Sequence, residues 1–118
     1  MGQALWRLRR CYAGPMTTDE HVILWQFFVK PGCEADFEDA YGEEGAWVRL
    51  FAQGEGYLGS ELLRSTTAPN LYLTVDRWRS VDDFANFREV HAAQYAALDT
   101  RCAEWTASEN LIGNWSPA

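Results

Sequence analysis

His91 is the side chain in this sequence best suited to acid–base chemistry. It shares with Tyr95 and Cys102 a stripe running Phe84, Phe87, His91, Tyr95, Leu98, Cys102 and Trp105, whose spacings of three and four mark one face of a helix. An imidazole turned toward aromatic rings can act as a general base near neutral pH. A lone histidine on an apolar face can equally be a hydrogen-bonded core residue. Trp25, Tyr57, Tyr72 and Tyr95 offer flat rings that either line a pocket for a planar ligand or pack in the core. Asp76 shares a strand face with Trp78, where it either orients a base or pairs with Arg64 across a hairpin. His21 reads as structural or exposed. Cys102 reads as a small core residue, since a reactive thiol needs an electropositive setting. Glu34, Asp36, Glu38 and Asp39 form an acidic cluster, better explained as a solvated helix start favoured by the helix dipole than as a metal site. No metal is expected. No phosphate-binding glycine loop, paired catalytic carboxylates or nucleophile triad is recognisable.

These residues must be positioned by a small set of elements. His21 to Lys30 (HVILWQFFVK) is almost unbroken apolar sequence, stopped by Pro31-Gly32. Such a run reads as a strand covered on both faces, because a half-exposed strand would alternate. Cys33 to Gln53 reads as helical, with a break at Gly42-Glu43-Glu44-Gly45. Tyr57–Ser65 and Leu71–Arg79 read as strands close enough to pair as a hairpin. Leu71, Leu73 and Val75 alternate with Tyr72, Thr74, Asp76 and Trp78, so the two faces of the third strand differ in kind. Ser80 is placed to cap a helix running from Val81 to about Thr106. Glu109–Trp115 completes the set as a last strand. The order strand, helix, strand, strand, helix, strand predicts an α+β, ferredoxin-like βαββαβ sandwich, an antiparallel sheet with its helices on one face. The apolar first strand then asks for cover on the other face, which a two-fold homodimer through the sheet would supply.

At 118 residues the chain is one domain, able to bury about two thirds of its unfolded surface. Six Trp, five Tyr and six Phe supply a core with rings to spare for a pocket or interface. A net charge of -7 argues against nucleic acid as partner. No apolar run is long enough to span a bilayer, and no secretory h-region is recognisable, so no membrane partner is expected. Three widely spaced cysteines without a CxxC pair fit a reduced, cytoplasmic protein. Residues 1–15 stand apart as a basic extension, with Arg7, Arg9, Arg10 and no acid. This extension reads as a misassigned start, an arm that packs on a partner, or a transit-peptide mimic. The domain proper is 16–118.

The segments VILWQFFVKPGCEADFEDAYG, AWVRLF, GYLGSELLRS and YLTVDRWRSVDDFANF, with the aromatic helix behind them, resemble the antibiotic biosynthesis monooxygenase family of dimeric α/β barrels. The resemblance spans Met16 to Trp115. It implies a homodimer and, from some members, a cofactor-free oxygenase taking a small aromatic or polyketide-like substrate, an anthrone or quinol, together with molecular oxygen. A deprotonated electron-rich phenol can pass an electron to oxygen without flavin or metal, given a site that binds the ring, assists proton removal and stabilises the oxyanion. Trp78 resembles the tryptophan at the end of the family's third strand and is assigned a catalytic role beside His91. In anthrone-oxidising members that tryptophan works with an Asn four residues earlier. Here the position is Thr74, so the amide donor is missing. Haem-cleaving members use an Asn, a Trp and a His at positions matching Trp25, Phe87 and the region of Ala97. None is retained, so haem cleavage is not expected, while haem binding through His91 stays open. The site implied is therefore His91 and Trp78, with Trp25, Tyr57, Tyr72, Thr74, Phe87 and Tyr95 contacting substrate and no cofactor. The alternative is a non-catalytic, small-molecule-binding or stress-associated dimer of the same fold.

Overall fold

The computed structural model describes residues 19–118. The basic extension 1–15, Cys11 and the proposed start at Met16 lie outside the described residues.

Four strands form one antiparallel sheet: β1 (His21–Val29), β2 (Tyr57–Arg64), β3 (Leu71–Trp78) and β4 (Thr106–Trp115). Their spatial order is β2-β3-β1-β4. The apolar run therefore occupies a central position, hydrogen-bonded to β3 on one side and β4 on the other. Four helices, α1 (Glu34–Tyr41), α2 (Ala46–Phe51), α3 (Val81–Val90) and α4 (Ala92–Cys102), make the second layer. This is the ferredoxin-like α+β arrangement that the element order predicts, with each of its two helical legs divided in two.

The period-two alternation of β1 decides which side chains meet the helices. Phe27 packs its ring on Phe37 and Tyr41 of α1, at 5.3 and 5.0 Å between centroids, and His21 meets Phe84 of α3 at 5.5 Å. The β1–β3 register places Trp78, Asp76, Thr74 and Tyr72 opposite His21, Ile23, Trp25 and Phe27, on that same helix-facing side. Trp78 is the hub of the far end. It is fully buried, with the rings of Phe51, Tyr57, Phe84 and Phe87 all within 6 Å. The opposite sheet face carries Phe28, Leu63 and Trp115, which stay 40, 45 and 54% exposed, and no described helix packs on it.

The first helical leg breaks where the glycines stand. Gly42 and Gly45 adopt extended backbone, ending α1 and starting α2. The second leg departs from the single helix expected over 81–106. It bends at His91 (φ -108°, ψ 27°), ends at Cys102, and passes through a 3-10 turn, Ala103–Trp105, into a β4 that starts three residues before the predicted strand. The hydrogen bonds from His91 N–H to Phe87 O and from Tyr95 N–H to His91 O, each 2.9 Å, persist across the bend. The bend lets one leg seat Phe87 on Trp78 and Tyr95 on Trp47, both at 5.0 Å. Ser80 caps α3 as the sequence suggests, its hydroxyl accepting from Asp83 N–H at 3.1 Å.

Local polar contacts fix the loops. Asn70, in the left-handed region at φ 63°, donates to the Val29 carbonyl (3.0 Å) and to Glu34 Oε2 (2.6 Å), tying the β2–β3 turn to the start of α1. Glu38 accepts from Tyr72 and from Arg64. The acidic cluster thus anchors strands to α1, and no group of ligating side chains able to hold a metal occurs among the described residues. Arg64 is consequently engaged with Glu38 and not with Asp76, which settles one alternative left by the sequence against the cross-hairpin pair.

Gly54 lies where the α2–β2 turn presses on the aromatic hub. A Cβ there would sit 2.8 Å from Phe87 Cδ1 and 3.0 Å from the Trp78 ring. Gly54→Ala is expected to destabilise the domain by about 1–3 kcal/mol, the usual cost of overpacking a filled core. The measurement is a denaturant midpoint at constant m-value. An unchanged midpoint would mean the hub has slack that the packing does not show.

Candidate functional site

A cavity of about 220 Å³, open on one side, lies between the sheet and the helical layer. One buried water needs roughly 10–15 Å³ on this kind of measure, so the space is scaled for a ligand. Its floor comes from helix-facing strand positions: Trp25 and Phe27 of β1, Ser60 of β2, Thr74 and Asp76 of β3. Its walls are rings from the helices, Tyr41 of α1, Trp47 and Phe51 of α2, and Tyr95 of α4. The short α2 projects its rings this way because Gly45 turns the chain immediately before it.

The polar groups are unevenly placed. Asp76 is only 9% exposed and belongs to the floor. Its Oδ1 accepts from Ser60 Oγ at 2.6 Å, and Ser60 Oγ lies 2.6 Å from the Tyr57 hydroxyl. Ser60 has one proton to give and gives it to the carboxylate, so Tyr57 donates to Ser60. Burial pushes Asp76 from the ordinary 3.8 up to about 6, against a smaller opposing pull from the Ser60 hydrogen bond. Burial likewise pushes the Tyr57 phenol up to about 12, keeping it a donor. Asp99 and Glu109 stand at the exposed rim. Partial burial and then the charge of Asp99 raise the Glu109 carboxyl above its usual value. Arg88 of α3 joins the rim with its guanidinium 4.0 Å over the Tyr95 ring, a cation–π stack that holds a positive charge at the mouth.

The residues singled out in the sequence take different places around the cavity. Trp25, Thr74 and Tyr95 line the cavity. Trp78 and Phe87 are buried behind it, the Trp78 indole Nε1 having no hydrogen-bond partner. Tyr57 and Tyr72 are not in the lining; the Tyr57 hydroxyl meets Ser60 of the floor and the Tyr72 hydroxyl donates to Glu38 of α1. His91 sits at the helix bend, outside the lining, with Nδ1 2.7 Å from Gln94 Oε1 and its ring on Phe87. His21 is buried, and burial lowers its pKa. Cys102 is fully buried and its thiol is raised by burial, matching the inert core residue expected. The sequence reading underweights Asp76 and passes over Ser60, Arg88 and Glu109. The signal for Asp76 was present: an acid in strict alternation with Thr74 and Trp78 on a strand face otherwise given to large rings.

The raised Asp76 carboxyl carries a stability signature. The folded state favours the protonated acid, so the stability that Asp76 contributes is fully present below the unfolded value near 3.8 and is lost as pH rises through about 6. Asp76→Asn keeps an acceptor for Ser60 without the charge. Its stability relative to wild type should be near zero at about pH 4 and rise by up to about 3 kcal/mol at about pH 8. Thermal unfolding at the two pH values reads this directly. A pH-independent gap would place the carboxylate in solvent.

No curated protein matches the sequence at a significant level. Among solved structures, the chain is similar to SnoaB, a cofactor-independent oxygenase from Streptomyces nogalater, at 21% identity and TM-score 0.71, over 86% of this chain and 95% of that one. It is similar to a candidate antibiotic biosynthesis monooxygenase from Bordetella bronchiseptica at 28% identity and TM-score 0.69, over 86 and 99% of the two chains. A candidate antibiotic biosynthesis monooxygenase from Caulobacter crescentus aligns over 92 and 99% at 16% identity and TM-score 0.66. The family model described as antibiotic biosynthesis monooxygenase matches residues 21–97, from the start of β1 into α4. With most of the domain matched and the fold shared, the chain belongs to the antibiotic biosynthesis monooxygenase family.

Proposed function

We propose that this protein is a cofactor-independent oxygenase acting on a small electron-rich aromatic of the phenol, quinol or anthrone type. The observation that carries the reading is the cavity itself: flat rings on its walls, polar groups on its floor, and one side open to a ligand. Family membership supports oxygen chemistry at the level of the reaction class. The rim carboxylates Asp99 and Glu109 disfavour a ligand bearing its own carboxylate and suit one that donates O–H groups.

In this reading the ring slides between Trp25 and Tyr95, loses a proton, and the resulting electron-rich anion reduces oxygen. Thr74 offers a hydroxyl where anthrone-oxidising relatives are expected to use an amide, so oxyanion stabilisation is weaker or comes from elsewhere on the floor. Trp78 acts as a positioning residue behind Phe51 and Tyr57, and His91 as part of the helix bend.

The second reading, a binding protein without chemistry, draws on Thr74 and on the displacement of His91 from the lining. The reading extends to a homodimer in which a second copy covers Phe28, Leu63 and Trp115, since an apolar patch of this kind on a central sheet is the usual mark of an interface. A reduced, cytoplasmic setting agrees with free Cys33 and Cys102, and no described helix is long and apolar enough to cross a membrane.

Oxygen uptake with anthrones and hydroquinones, without added flavin, metal or haem, tests the chemistry. Uptake should exceed the uncatalysed rate, fall about tenfold or more in Val48→Phe, which fills the cavity, and persist in His91→Ala. Ligand binding with no uptake across the panel would favour the binding protein. Loss of uptake in His91→Ala would return the proton acceptor to the helix bend. Sedimentation at micromolar concentration tests the dimer separately: Trp115→Glu should shift a dimer toward monomer, and a monomeric wild type would refute the pairing.

A further inference from the structure

Removing a proton from a neutral ring is the step for which the cavity must supply a base. Of the acids in its lining, Asp99 and Glu109 are exposed residues at the rim, Glu109 with a partly shielded carboxyl beside the charge of Asp99. Glu61 lies on the other sheet face by register and pairs there with Arg77 at 3.8 Å. Asp76 alone is buried on the floor, between the positions that face the helices. Its two oxygens are in different circumstances. Oδ1 is held by Ser60, which is held in turn by Tyr57. Oδ2 has no hydrogen-bond partner among the described residues, and Asp76 is part of the cavity lining.

We propose that Asp76 is the proton acceptor of this site, taking the acidic proton of a bound carbon acid or phenol on Oδ2 while Ser60 and Tyr57 hold Oδ1 in place. The proposal rests on the cavity being the substrate site and deepens the reading above. For an anthrone, the methylene C–H bond breaks, its electron pair enters the ring system and leaves the negative charge on the former carbonyl oxygen, and the proton ends on Oδ2. For a quinol, the O–H bond breaks and the charge stays on oxygen. No electron leaves the substrate in this step, so it needs no oxygen. Ser60 and Tyr57 are positioning residues: their hydrogen bonds fix the carboxylate's rotation and aim its free oxygen at the ligand.

The charged and titratable groups around the cavity that Asp76 floors come from several elements. Tyr57 approaches from β2, Tyr95 and Asp99 from α4, Arg88 from α3 and Glu109 from β4. Tyr57 and Tyr95 are raised by burial and stay neutral, so neither replaces Asp76 as a base near neutral pH.

The experiment separates proton removal from oxidation. Wild type and Asp76→Asn are mixed with anthrone in deuterium oxide without oxygen, and exchange into the methylene is followed by NMR. Wild type should accelerate exchange, and Asp76→Asn should lose about 10²-fold or more of that acceleration while still quenching tryptophan fluorescence on binding anthrone. The wild-type exchange rate should rise as pH passes through about 6, and Ser60→Ala should move that inflection upward, because the lost hydrogen bond had favoured the carboxylate. Exchange without oxygen uptake in air would sink the oxygenase and leave Asp76 its role. No exchange in wild type, or exchange that survives in Asp76→Asn, overturns the assignment of Asp76.

Discussion

The pairing of β1 with β3 is the constraint on which the domain depends. It sets Ile23 against Asp76, Trp25 against Thr74 and Phe27 against Tyr72, and so chooses the residues that look toward the helices. Because side chains alternate, a slip of one residue would send that whole set to the opposite face and bring Leu24, Gln26 and Phe28 under α1. Phe27 guards the register. Its ring is wedged between Phe37 and Tyr41 and is 4% exposed.

Two demands compete on the helix-facing side. Dense aromatic packing stabilises the layer contact, and the Trp78 end meets that demand to the point of leaving an indole N–H unpartnered. The Thr74–Asp76 end keeps a void and places a carboxylate beside it. A charge in such surroundings is held against its solvation preference. Ser60 offsets part of that cost, and the aromatic hub next door supplies the rigidity that keeps the void from collapsing.

The fold was legible because its signals are local and redundant. An apolar run bounded by Pro31-Gly32, a hairpin with alternation, and Ser80 ahead of acids each point to one element, and their order points to one topology. The bend at His91 was not legible. Nothing at that position breaks a helix; the bend answers two packing partners, Trp78 and Trp47, brought together only by the tertiary structure. The same gap hid where His91 stands relative to the cavity. Helical spacing put His91 on the stripe with Phe87 and Tyr95, and its ring does meet Phe87, but the helix turns at this residue and the cavity lining takes Tyr95 and not His91. The pairing of Ser60 with Asp76 spans sixteen residues and depends on a bulge between Tyr57 and Gly59 that no local pattern announces.

The side chains buried most completely, Trp78, Phe37, Phe87 and Cys102, contribute nothing to the cavity surface, which is built from a different set of positions on the same elements. Inheritance can therefore act on the two sets separately. Substitutions at Val48 or Thr74 can redraw the interior outline while the hub keeps the chain folded. A lineage built this way can drift to low sequence identity, hold one architecture, and change what it accepts by a handful of replacements.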